Sequence, residues 1–105
     1  MEVFLKHLSI QLLLSFNSLH ENGIIYKDLK ASHVFIDKAL RMTLIDFGMC
    51  ETTSDGTTIK PAGTVHAMSP EMLRLFERSL ANGNGDPVGF EHDYFTLGVL
   101  LLEFV

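Results

Sequence analysis

Apolar residues recur at steps of three and four through residues 4–21. Leu5, Leu8, Leu12, Phe16 and Leu19 share one side, and His7, Gln11, Ser15 and Ser18 form a narrow polar strip on another. Phe4, Ile10, Leu13 and Leu14 widen the apolar side, so the pattern predicts a mostly buried helix. Asn22-Gly23 then supplies a left-handed stop. Three short apolar runs follow: Ile24-Ile25-Tyr26, Val34-Phe35-Ile36 and Met42-Thr43-Leu44-Ile45. The last two flank the polar turn Asp37-Lys38-Ala39-Leu40-Arg41 and predict a small hairpin. From Cys50 to Gly63 the periodicity is lost among Thr, Ser, Asp and Gly, which predicts a mobile or functional loop. Ser69-Pro70-Glu71 restarts a helix, with Ser69 as cap, Pro70 at the first helical position and Glu71 at the positive end of the dipole. That helix is expected over residues 70–80, stopped by Asn82-Gly83-Asn84-Gly85-Asp86-Pro87. A last apolar helix starts near Asp93 and is still apolar at Val105. The order predicts a mainly helical α+β fold with a small β-hairpin, without repeats or an internal domain boundary.

Composition narrows the function classes. The 105 residues hold 8 Lys and Arg against 13 Asp and Glu, a net charge of −5, so no broad basic face is available for nucleic acid. A hydrophobic fraction of 47% with 20% charged residues indicates a packed core rather than disorder. The single cysteine, Cys50, excludes an internal disulfide framework and a Cys-based zinc cage, and reads as a small buried side chain. His7, His20, His66 and His92 lack metal-ligand spacing and read as surface or packing residues. Residues 95–105 are too few for a membrane span, which needs about 20 apolar residues. Residues 3–19 are broken by polar side chains and follow Met1-Glu2 rather than a positive start. The expected location is the cytoplasm or another reducing compartment, with no membrane partner.

Four motifs carry the chemistry. Tyr26-Lys27-Asp28-Leu29-Lys30-Ala31-Ser32-His33 lies between the first helix and the hairpin, and Asp46-Phe47-Gly48 follows the hairpin directly. Gly63-Thr64-Val65-His66-Ala67-Met68-Ser69-Pro70-Glu71 closes the polar loop, and Asp93-Tyr94-Phe95-Thr96-Leu97-Gly98 opens the last helix. In this order and at these intervals, the sequence resembles the larger, C-terminal lobe of a eukaryotic protein kinase. Tyr26 and Lys30 resemble the catalytic loop of the AGC-type Ser/Thr branch.

The resemblance implies phosphoryl transfer from ATP to protein hydroxyls with magnesium, chemistry that depends on positioning and charge neutralisation. It implies Asp28 as the base for the substrate hydroxyl, Lys30 as the cation neutralising the transferring phosphoryl, and Thr64 bonded near both. Lys30, His33 and Asp46 would face the cofactor. Asp46 would hold the metal, Phe47 would pack beneath that turn, Gly48 would let the backbone change direction, and Asp93 would brace the catalytic loop. Glu71 would take an Arg partner. His33 stands where the family has Asn; imidazole is a softer ligand than an amide oxygen and suits manganese better than magnesium. A structural hydrogen-bonding role is the favoured reading of His33. Lys27 replaces the family's Arg and would pair with a phosphate on Thr52, Thr53, Ser54, Thr57 or Thr58.

The 105 residues contain no Gly-rich phosphate loop, no strand Lys and no partner Glu, all features of the smaller lobe. The chain therefore reads as the middle slice of a kinase domain, with little activity by itself and a tendency to aggregate. A pseudokinase scaffold with a regulatory protein partner is the alternative, and a truncated gene product the third reading.

Overall fold

The computed structural model describes residues 2–104. Helix α1 (Glu2–Glu21) forms where the helical period predicts it, but its buried stripe is Leu8, Leu12 and Phe16 alone. Ile10, Leu13 and Leu14 are exposed. The expectation of a mostly buried helix is corrected: α1 packs against strands β1 (Ile24–Ile25) and β3 (Met42–Leu44) and helix α3 (Glu91–Leu102), which together cover one side. Gln11, assigned to the polar strip, ties α1 to the hairpin. Its Oε1 accepts from the Met42 N–H at 2.7 Å, and its Nε2 donates to the Leu40 carbonyl at 2.8 Å.

The hairpin pairs β2 (Val34–Ile36) antiparallel with β3, with Val34 opposite Leu44 and Ile36 opposite Met42. Asp37 holds its turn, accepting from the N–H groups of Ala39 and Arg41 and from Arg41 Nε, each at 2.9 Å. A second two-stranded sheet joins β1 to β4 (Glu51–Thr52), placing Ile25 opposite Glu51. β4 lies inside the stretch expected to be a loop, because two residues are too few to display a strand period. Gly23, at φ +72°, permits this pairing: a Cβ there would lie 2.6 Å from the Thr53 carbonyl oxygen.

Helix α2 (Pro70–Leu80) has the expected bounds, and the Ser69 hydroxyl accepts from the Met72 N–H. α3 begins at Glu91, two residues before the expected start, and ends at Leu102, with Glu103 and Phe104 in a turn; Val105 lies outside the described residues. The main core joins α1, the loop after β1, β3 and α3 through Leu8, Leu12, Phe16, Tyr26, Leu29, Leu44, Leu97 and Leu100. Met68, Met72, Leu75 and Val88 form a smaller cluster under α2. The architecture is a mainly helical α+β fold, and no helix among the described residues is long and apolar enough to cross a membrane.

Candidate functional site

β1 runs directly into the loop that carries Asp28. Its backbone turns at Lys27, which adopts a left-handed φ of +74°, a conformation that a non-glycine residue keeps only when its surroundings impose it. The constraint comes from α3. The fully buried Asp93 carboxylate accepts from the Lys27 N–H at 2.8 Å through Oδ1. Its Oδ2 accepts from the Tyr26 N–H at 2.9 Å and meets His20 Nε2 at 2.7 Å. One residue earlier, His92 donates through Nε2 to the Lys27 carbonyl at 3.0 Å, and its Nδ1 lies 2.8 Å from the Ser69 hydroxyl. A carbonyl only accepts, so Nε2 carries the proton and Nδ1 receives the Ser69 O–H. Asp93 and His92 thus fasten the backbone of the loop immediately before Asp28.

The Asp28 carboxylate has one hydrogen bond and one nearby cation. Thr64 Oγ1 donates to Oδ1 at 3.2 Å, and Lys30 Nζ lies 3.8 Å from Oδ2. Gly63 precedes Thr64 at φ +117°, with a virtual Cβ only 3.1 Å from the Lys27 carbonyl, so the approach of this segment depends on a glycine. His33, on a short 3-10 turn, donates from Nδ1 to the Asp28 carbonyl at 2.8 Å. This leaves Nε2 aimed at Asp46 Oδ2, 3.2 Å away. The Asp46 side chain is 56% exposed, and its Oδ1 accepts from the Gly48 N–H at 2.9 Å, which shapes the turn after β3. Phe47 sets one edge against the Tyr26 ring at 5.7 Å and leaves about half its surface open, so it packs less deeply beneath the turn than expected.

On the opposite side, buried Lys27 directs its ammonium to Glu51 Oε1 at 2.6 Å and to the Lys60 carbonyl at 3.0 Å. Burial alone would raise the Glu51 carboxyl. The hydrogen bonds from Lys27 and Thr58 and the charges of Lys27 and Lys60 outweigh it and hold the group below its usual range. Burial, reinforced by the Asp93 carboxylate, pushes the Cys50 thiol up to about 11. Burial also drives the Tyr26 phenol well above its ordinary range.

Asp28, Lys30, His33, Asp46 and Thr64 therefore gather at one edge, with Tyr26, Lys27 and Asp93 beneath them. Glu71 stands apart in the first turn of α2 and makes no ion pair among the described residues. Glu51, His20 and His92 are part of the support and carry no motif signal, because their roles depend on partners distant in the chain; Ser69, legible as a helix cap, joins them through His92. Asp46 with His33 offers a carboxylate and a nitrogen, and no cluster of three or more His, Cys, Asp or Glu side chains suited to a metal occurs among the described residues.

Residues 2–105 match the family model of the protein kinase domain. The chain is 39% identical over 94 residues to atypical protein kinase C of Drosophila melanogaster, covering 88% of this chain and 14% of that protein. It is 38% identical over 97 residues to protein kinase C zeta type of Oryctolagus cuniculus, covering 90% of this chain and 15% of that one. Against developmentally-regulated protein kinase 1 of Dictyostelium discoideum the identity is 36% over 101 residues, covering 95% of this chain and 13% of the relative. The chain thus spans about one seventh of the length of these curated relatives.

Proposed function

Because this chain belongs to the protein kinase domain family, we propose that it supplies the base-bearing half of a Ser/Thr protein kinase site within a larger domain, in a reducing compartment such as the cytoplasm. The observation that carries the reading is the Asp28 carboxylate held by the Thr64 hydroxyl beside the Lys30 ammonium, with Asp46 one imidazole away. In this reading a protein hydroxyl sits at Asp28. The hydroxyl oxygen forms the new bond to the terminal phosphorus of ATP, the bond from that phosphorus to the bridging oxygen breaks, and ADP leaves. Asp28 accepts the hydroxyl proton, while Thr64 fixes the carboxylate and Lys30 balances negative charge beside it.

Asp46 fits a magnesium or manganese ion, since hard cations take carboxylate oxygen and its side chain is open to solvent. His33 fits as a second, nitrogen donor, because its other ring nitrogen is fixed on a backbone carbonyl, the arrangement that orients metal-binding imidazoles. When bound, such an ion neutralises charge on the ATP phosphates.

The test uses the full-length protein that carries these residues, radiolabelled ATP and Ser/Thr-containing protein substrates. Asp28→Asn should lower kcat by about 10²–10⁴-fold while leaving nucleotide affinity within about twofold. Transfer by this variant at the wild-type rate would overturn the reading.

A second reading, a binding module without transferase activity, draws on the same His33. Its ring stands 3.2 Å from Asp46 Oδ2 and occupies space beside the oxygen a cation needs. His33→Asn should then strengthen magnesium-dependent nucleotide binding, measured by calorimetry. Unchanged binding and activity in that variant would remove His33 from both accounts.

A further inference from the structure

The segment after β4 is rich in hydroxyls and faces a buried cation, which invites a regulatory phosphate. The geometry shows the position already taken. Lys27, 3% exposed, gives its ammonium to Glu51 Oε1 and the Lys60 carbonyl. The same Glu51 oxygen accepts the Thr58 hydroxyl at 2.5 Å, and the Lys60 N–H donates to Thr58 Oγ1 at 3.0 Å. Thr58 is 2% exposed and pairs with Val88 in both directions, at 2.8 and 2.9 Å. Thr58 therefore cannot present its hydroxyl to a modifying enzyme while this arrangement holds, which corrects its place among the candidate phosphosites. The charge arithmetic agrees. One buried ammonium is met by one carboxylate, and either alone would carry a large desolvation cost.

We infer that Glu51 is a positioning residue. Its carboxylate neutralises Lys27 from within the chain and latches residues 51–60 to the loop bearing Asp28, without any phosphate. Lys27 immediately precedes Asp28, and Glu51 lies opposite Ile25 in the β1–β4 pair, so the latch closes across the strand that leads into the site. A phosphate on Thr58 would remove the proton donated to Glu51 and set two anions side by side, opening the latch. What the latch positions rests on the phosphoryl-transfer reading; the latch itself does not.

Hydrogen exchange of residues 51–60 in the full-length protein tests it. Phosphatase treatment of the wild type should leave exchange unchanged. Glu51→Ala should speed it by about tenfold or more, and Glu51→Gln, which keeps the shape and loses the charge, by a smaller factor. Formate should restore slow exchange in the Ala variant by filling the vacated carboxylate position, whereas chloride at equal ionic strength should not. A merely structural side chain would not respond to one anion and ignore another. Release of the segment by phosphatase, wild-type exchange in both variants, or equal rescue by formate and chloride would overturn the inference. If Glu51→Ala does not fold, the Gln variant and the phosphatase arm decide. A latch that behaves as described in a protein that transfers no phosphate would overturn only the catalytic reading.

Discussion

Asp93 shows what one side chain can organise. A carboxylate removed from water is stable only when its lone pairs are filled, and here two backbone N–H groups and one imidazole fill them. In return, it holds Lys27 at a left-handed φ that the residue would not choose. Asp93→Asn turns a donor edge toward a donor, so one N–H of the loop loses its partner. We expect a loss of about 2–5 kcal/mol in denaturant unfolding of the full-length protein; a loss under about 1 kcal/mol would show that the carboxylate is not the fastening. Cys50 makes the opposite point, that a thiol close to the Asp46 turn need not be reactive. With its pKa pushed up to about 11, chiefly by burial and next by Asp93, it remains protonated at neutral pH. Iodoacetamide should leave it largely unmodified at pH 8 and label it only as the pH approaches that value, as read by intact mass. Rapid labelling at about pH 8 would contradict this.

At the scale of elements, the pairing of β1 with β4 decides how the loop before α2 behaves. The pH dependence of the latch follows from Glu51, whose folded carboxyl is held below its ordinary value of 4.5. A group depressed on folding contributes stability that is full above the unfolded pKa and is lost as pH falls through the folded one. The stability difference between wild type and Glu51→Gln should therefore be constant above about pH 5 and shrink progressively below 4.5. Urea titrations from about pH 7 to about pH 3 read this directly, and a difference that grows on acidification would refute it.

These elements also show where sequence reasoning succeeds and where physics hides the answer. α1, α2 and the hairpin were legible because their periods run long enough to repeat and their turn and cap chemistry is local: Ser69 at one end, Asp37 in the turn. The residues around Asp28 were legible because a motif gathers them in one stretch. β4 was not, since its partner β1 lies far back in the chain and two residues display no alternation. Nor were Gln11 and His92, polar positions whose hydrogen-bond partners lie 31 and 65 residues away. The breadth of burial on α1 is hidden for a related reason: apolar spacing shows which face could be covered, and only the neighbouring elements decide how much of it is.

For the whole molecule, the balance between core and surface is unusual. The radius of gyration is 14.1 Å, and the principal extents are 46 × 28 × 19 Å. A compact domain of this length has a radius near about 13 Å, so the body is flattened. Leu14, Leu19, Met42, Leu44 and Phe47, with the hydroxyls of Ser15, Ser18 and Thr43, line an open and mostly apolar groove of about 450 Å³ between α1 and the hairpin. Val3, Ile10 and Leu13 add exposed apolar surface along α1. Exposed apolar surface of this extent favours association in water. The 105-residue chain in isolation should therefore self-associate at micromolar concentration, giving a concentration-dependent sedimentation profile and a broad thermal transition. A monomer with a sharp cooperative melt would show that the groove is harmless.

The fastening of the loop by α3 also sets a timetable. Asp93 reaches Tyr26 and Lys27 across separations of 67 and 66 residues, and His92 reaches Lys27 across 65. A chain emerging from the ribosome at about 5–20 residues per second therefore exposes Asp28 roughly 3–13 seconds before its brace arrives. Through that interval the Asp93 and His92 bonds that hold the left-handed turn at Lys27 have not yet formed. A nascent chain halted before Asp93 carries every residue of the Asp28 motif without the geometry that makes it a site.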